Sequence, residues 1–259
     1  IYKSDRYGFN NPDSVWDEKE IDYIVLGDSF VHGDCVNRPN DISSVIRNIT
    51  KKNAINLGYR GNGPLIEYGI LKEYSLKNPK NVIWIYFEND LYDLKQELEN
   101  NILINYLNNY SFSQNLPNKQ NEINSININL TNHFYKTEVE TVIQNTKNMK
   151  RKNKILKFIR LDKLKKFISS FKNDSKQKVD YPYNELKLIL EKANSFAQKL
   201  NSNFYFVYMP SIKNYTLKNK NYQYDNVVKI INELNLNFID LHKDFFVKKK
   251  KPLKFYTFE

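Results

Sequence analysis

Five short runs of almost wholly apolar, β-favouring residues punctuate the chain: Ile21 to Gly27, Ala54 to Gly58, Val82 to Phe87, Phe204 to Met209 and Phe238 to Leu241. Runs of this length are strands, and because they lack a regular polar alternation they belong to a sheet covered on both faces. Between them, apolar residues recur at three- and four-residue spacing over Asp41 to Lys51, Pro64 to Tyr74, Glu185 to Leu200 and Asn226 to Leu234. Asp41 is a ready N-cap, and Pro64 is tolerated in a first helical turn. This strand–helix alternation predicts an α/β fold: a three-layer α/β/α sandwich around a mainly parallel five-stranded sheet.

The alternation is interrupted once, after the third strand. Residues 101–125 are rich in Asn, and residues 144–178 are rich in Lys. Within the latter, Ile155, Phe158, Ile159, Leu161, Leu164, Phe167 and Ile168 recur at helical spacing beside a basic face. We therefore expect one domain over 1–259 carrying a helical basic insertion over 101–180. The insertion reads as a cap helix packed on the core, or as a surface helix meeting anionic lipid or glycan.

The chain has 259 residues and a formal net charge of +11. It is crowded with Lys, Asn, Ile, Tyr and Phe, a bias typical of AT-rich coding sequence, so the charge is not read as nucleic-acid binding. A basic surface still attracts an anionic membrane or an acidic polysaccharide within about a Debye length of 8–10 Å. The single Cys35 excludes an internal disulfide framework. His32, His133 and His242 stand far apart with no zinc-type spacing, and phosphate-loop and dinucleotide signatures are missing, so no metal and no cofactor is expected. No run of 18 apolar residues occurs. The chain opens at Ile1 rather than Met, which is expected of a fragment or processed form, and an upstream signal or anchor is compatible with it.

In an open α/β sheet, ligands bind at the carboxyl ends of the strands. Three polar clusters fall there: Gly27-Asp28-Ser29 after the first run, Asn56 to Gly63 after the second, and Glu88-Asn89-Asp90 after the third. A serine on a tight turn, backbone N–H groups from a Gly-rich loop and an Asn side chain would together make a nucleophile with an oxyanion hole. Strand-to-helix turns favour Gly, Asp, Asn and Ser in any case, so the pattern alone fits both readings equally.

Ile24-Val25-Leu26-Gly27-Asp28-Ser29-Phe30 resembles the first block of the SGNH/GDSL hydrolase superfamily, a flavodoxin-like three-layer fold in which that serine is the nucleophile. Asn56 to Gly61 resembles its second block and Glu88-Asn89-Asp90 its third. The resemblance implies Ser29 as nucleophile, Gly61 as backbone oxyanion donor (Gly58 as the second choice) and Asn89 as side-chain donor. Lys3 to Asn10 is similar to the lead-in of envelope-associated bacterial members, which implies an envelope or periplasmic location, with the cytoplasm as the alternative. Asp28 reads as a turn-bonding residue.

Two positions depart from the family pattern. Phe87 stands where the third block has Gly. The family's catalytic His, in an Asp-x-x-His block, has no match: His242 follows Asp240 by two residues, His32 sits three residues past Ser29, and His133 lies in the insertion. The expectation is that this His lies just beyond Glu259, that Glu259 could orient it, and that Phe246 to Lys251 is a mobile loop. The implied function is a serine ester hydrolase working through an acyl-Ser29 intermediate on an O-acyl carbohydrate or lipid. The alternatives are an envelope polysaccharide O-acyltransferase, a non-catalytic carbohydrate- or lipid-binding domain, and a receiver-like domain built on Asp28, Asp90 and Lys243.

Overall fold

The computed structural model describes residues 3–149, 180–216 and 222–256. The chain divides into two compact units, Ile1–Pro117 with Tyr181–Glu259, and Asn118–Asp180.

The first unit is built on a five-stranded sheet: β1 (Tyr23–Leu26), β2 (Ala54–Asn56), β3 (Asn81–Phe87), β4 (Asn203–Met209) and β5 (Asn237–Asp240). The strand order is β2-β1-β3-β4-β5 and every pairing is parallel, in the register Ile24↔Ile55, Ile24↔Val82, Val82↔Phe204 and Phe206↔Phe238. Parallel neighbours need long crossovers. These are made by α1 (Ser29–His32), α2 (Ile42–Thr50), α3 (Pro64–Tyr74), α4 (Asp90–Glu97), α5 (Asn101–Asn108), α7 (Tyr183–Lys199), α8 (Lys213–Thr216) and α9 (Tyr222–Glu233). The α/β sandwich expected from the apolar runs is therefore the fold observed, with the sheet parallel throughout.

The period of two along β3 shows why its run is apolar at every position. Val82, Trp84 and Tyr86 join Ile24, Leu26, Phe206 and Tyr208 in a large core with α3, α5, α7 and α9. Ile85 points the other way, into a smaller core with Val25, Val207 and Val31 of α1, against which Ile42 and Ile46 of α2 pack. Fully burying such a side chain stabilises by about 1.5–3 kcal/mol.

Local signals set the boundaries. Asp41 caps α2 by accepting from Ser44 N at 2.9 Å, and Pro64 opens α3. The Ile21 to Gly27 run yields only four strand residues because Gly27 leaves the strand at φ +152°. A Cβ there would come within 2.5 Å of Val31 and 2.8 Å of the Ile85 carbonyl, so α1 can pack this close only over glycine.

Residues 3–17 are pinned to the sheet by side-chain hydrogen bonds. The buried Asp5 carboxylate accepts from Tyr7 N, Phe9 N, Asn11 Nδ2 and Trp16 Nε1 at 2.8–3.0 Å. Asn11 then pairs with the edge of β2, accepting from Asn56 N at 2.9 Å and donating to Asn56 O at 2.8 Å.

Of the segment 101–180 read as one insertion, residues 101–117 belong to the first unit. Tyr106 of α5 is buried and donates to Glu73 Oε1 at 2.7 Å. Ser113 Oγ and the Gln114 and Leu116 N–H groups close on the same carboxylate. Burial would push Glu73 up, but these donors together hold it below its ordinary value.

In the second unit, α6 (Gln120–Met149) is a single helix of 30 residues, about 45 Å long at 1.5 Å per residue. His133 lies on it, and Ile126, Leu130 and Phe134 recur at four-residue spacing on its exposed surface. The apolar stripe from Ile155 to Ile168 lies outside the described residues.

Candidate active site

The parallel sheet brings the loops after β1, β2 and β3 to one edge, and specific hydrogen bonds knit them together. Asp28 is the N-cap of α1. Its Oδ1 accepts from Phe30 N at 2.9 Å, and its Oδ2 accepts from Ser29 Oγ at 3.3 Å. Asp28 is thus a turn-bonding residue, and Ser29 stands half-buried at the first position of α1.

Burial pushes the Asp28 carboxyl above its ordinary range, while the hydrogen bonds from Phe30 N and Ser29, with the Asn89 side chain nearby, pull the other way. Ser29 and Asn89, which follow different strands, thus both act on one carboxylate. Asn89 is exposed, and its Nδ2 donates to Asp93 Oδ2 at 2.8 Å, which leaves one amide hydrogen for a ligand. The next residue, Asp90, is fully buried, accepts from Phe87 N at 2.9 Å, and is driven well above its usual range by burial and by Asp28.

The loop after β2 is tied to the serine turn by Tyr59 N, which donates to Gly27 O at 3.2 Å. Its far end is held by Glu97 of α4, whose carboxylate accepts from Gly63 N at 2.6 Å and Leu65 N at 2.9 Å and caps α3. Burial pushes Glu97 up to about 7. Between these anchors Gly61 sits at φ +75° with open space where a Cβ would be, and its N–H makes no hydrogen bond among the described residues. The Gly58 N–H is instead consumed by Asn56 Oδ1 at 2.9 Å, so Gly58 has no free donor to offer.

Phe87, standing where the family pattern has Gly, packs against Phe30 with ring centroids 4.4 Å apart. The pair forms an apolar wall beside Ser29.

The histidines are accounted for separately. His32 is buried at the end of α1, with Nδ1 3.3 Å from Gly58 O, Nε2 3.5 Å from Asp34 Oδ1, and its ring edge-on to Tyr59. Its backbone carbonyl accepts from Asn10 Nδ2 at 2.7 Å, a supporting contact 22 residues away in sequence. His242 opens the turn after β5. Its Nδ1 is 2.7 Å from Tyr215 Oη, and its ring packs on Tyr224. Burial pulls it below its ordinary value, against the nearby Asp240 and Glu88 carboxylates.

No hydrogen bond joins an imidazole to Ser29 among the described residues. The segment beyond Tyr256, including Glu259, lies outside them. Phe246 to Lys251, expected as a mobile loop, begins in a folded turn: Phe246 is buried, and Lys249 N donates to Phe246 O at 3.0 Å. Lys243 lies over the Tyr224 ring, 5.6 Å from its centroid.

No family model matches this chain, and no curated protein matches it. Solved structures do. The chain is similar to the crystal structure of AlinE4, described as an SGNH-hydrolase family esterase, at 10% identity, covering 90% of this chain and 85% of that one, with a TM-score of 0.42. Two mutant structures of the same esterase align at 9% identity over 86% of this chain and 76% of theirs, also with a TM-score of 0.42. In this chain Ser29, Asn89 and Gly61 lie on three adjoining loops of one sheet edge.

Proposed function

We propose that the protein is a serine ester hydrolase in which Ser29 Oγ attacks the acyl carbon and the ester C–O bond breaks, the Ser29 proton passing by way of a general base to the departing alcohol. The carbonyl oxygen then turns toward the Gly61 N–H and the Asn89 Nδ2, and the acyl-Ser29 intermediate is released to water or to another hydroxyl. The observation that carries this reading is the placement of Ser29, hydrogen-bonded to Asp28, and Asn89 on loops of one sheet edge, beside a Gly61 loop tied to Gly27 O. The Phe30–Phe87 wall favours an ester with an apolar acyl group, and the exposed, polar loop edge suits a carbohydrate or lipid alcohol. Each oxyanion donor is worth on the order of 10²–10³ in turnover. The test is hydrolysis of short-chain p-nitrophenyl esters by the protein and by Ser29→Ala.

A second reading has one specific observation in its favour. The only hydrogen bond Ser29 Oγ makes among the described residues goes to Asp28, not to an imidazole. A non-catalytic carbohydrate- or lipid-binding domain would keep such a scaffold without its base. Saturable binding of esters with no Ser29-dependent turnover would select it.

A further inference from the structure

The turn that follows β5 plays no part in the proposed chemistry, yet its surface has a distinct composition. Between residues 243 and 254 lie Lys243, Lys248, Lys249, Lys250, Lys251 and Lys254, all exposed, against the single acid Asp244. Asp244 pairs with Lys248 at 3.7 Å. Among these cations, Val247 is 60% exposed, Phe255 52% and Leu253 39%.

These groups are held on a rigid base. The buried Phe246 packs on Tyr215 and Tyr256 with ring centroids 5.6 and 5.2 Å apart. Tyr256 Oη donates to Pro210 O, just past β4, at 2.9 Å. Lys249 Nζ lies 4.5 Å from the Phe245 ring centroid and 5.8 Å from that of Phe255, which places a cation and the exposed aromatic ring side by side. The anchor at Pro210 puts the patch on the carboxyl edge of the sheet, the edge that carries Ser29.

Charge complementarity calls for an anionic partner, and the exposed aliphatic and aromatic side chains call for one with an apolar layer beneath the charge. An anionic bilayer surface supplies both. A nucleic acid or acidic polysaccharide would engage the lysines but leave Val247 and Leu253 in water. We propose that the 243–256 turn docks on an anionic lipid surface, with Val247, Leu253 and Phe255 entering the headgroup layer and the lysines meeting the lipid phosphates.

The test is co-sedimentation of the protein with phosphatidylcholine vesicles with and without phosphatidylglycerol. Each lysine near such a surface contributes roughly fivefold to binding. The variant Lys248→Gln/Lys249→Gln/Lys250→Gln/Lys251→Gln should lose at least tenfold in affinity for the anionic vesicles. Val247→Ser/Leu253→Ser/Phe255→Ser should also weaken binding to them, while leaving retention by the soluble polyanion polygalacturonate unchanged. A control that removes the same charge elsewhere, Lys19→Gln/Lys51→Gln/Lys52→Gln/Lys95→Gln, should bind within about threefold of the parent. Equal losses in the two lysine variants, an unaffected apolar variant, or no preference for anionic vesicles would each overturn the proposal. Because the readout is sedimentation, Ser29→Ala should bind like the parent whether or not Ser29 is a nucleophile.

Discussion

The rings of Phe30 and Phe87 lie with centroids 4.4 Å apart, tilted at 44°, and close one side of the turn that carries Ser29. A glycine at position 87 would leave that side open. Phe87→Ala should therefore raise KM for a hexanoyl ester by about tenfold while changing the acetyl ester by less than threefold, since apolar pocket contacts discriminate by about 1–3 kcal/mol. Equal effects on both esters would mean the wall does not contact the acyl chain.

Glu97 ties the Gly61 loop to α4 and has a consequence for stability. Burial raises its folded pKa to about 7, whereas the ordinary value is 4.5. Between those values the folded state binds more protons than the unfolded one, so Glu97 makes stability rise as pH falls from about 7 toward 4.5. His242, pulled below its ordinary value, acts in the opposite sense below about 6.5, so the difference between parent and variant is the informative quantity. Urea unfolding of the parent and Glu97→Gln at pH 5, 6, 7 and 8 should show the parent gaining on the variant as pH drops. A parent that loses ground to the variant as pH drops from 8 to 5 would reverse the assignment.

The position of His242 makes a separate prediction. Its Nδ1 is engaged by Tyr215 Oη, and it makes no hydrogen bond to Ser29. His242→Gln should keep ester turnover within about threefold and cost about 1 kcal/mol of stability, the usual worth of one hydrogen bond. A thousandfold loss of turnover with an intact fold would instead make His242 the general base.

Gly61 can be tested through its backbone alone. At φ +75° any L side chain is strained, while the space beyond the Cα is open. Gly61→Ala should thus cost about 1–2 kcal/mol of conformational strain and shift its N–H, lowering kcat at least tenfold with little change in KM. An unchanged kcat would remove Gly61 from the oxyanion site.

Much of this architecture is readable from the residues alone. A strand buried on both faces must be apolar at successive positions, so β3 and β4 announce themselves, and Pro64 and Asp41 mark helix starts by local chemistry. The polar α4, with only Leu91 and Leu94 buried among its apolar residues, carries too weak a period to be recognised, and α5 is masked by the Asn-rich stretch around it. The contacts that set the site are long-range: Glu97 reaches Gly63 across 34 residues, and Asn10 reaches His32 across 22. A local pattern cannot show them. Phe87 reads in sequence as a lost glycine, and only its packing on Phe30 gives it a role.

The most direct measurement is the turnover of p-nitrophenyl acetate and butyrate by the protein and by Ser29→Ala, with circular dichroism to show that both are folded. The account predicts measurable hydrolysis by the parent and a loss of at least about a thousandfold in the variant. Turnover that survives the loss of the Ser29 hydroxyl, or a folded parent that binds these esters without cleaving them, would contradict it.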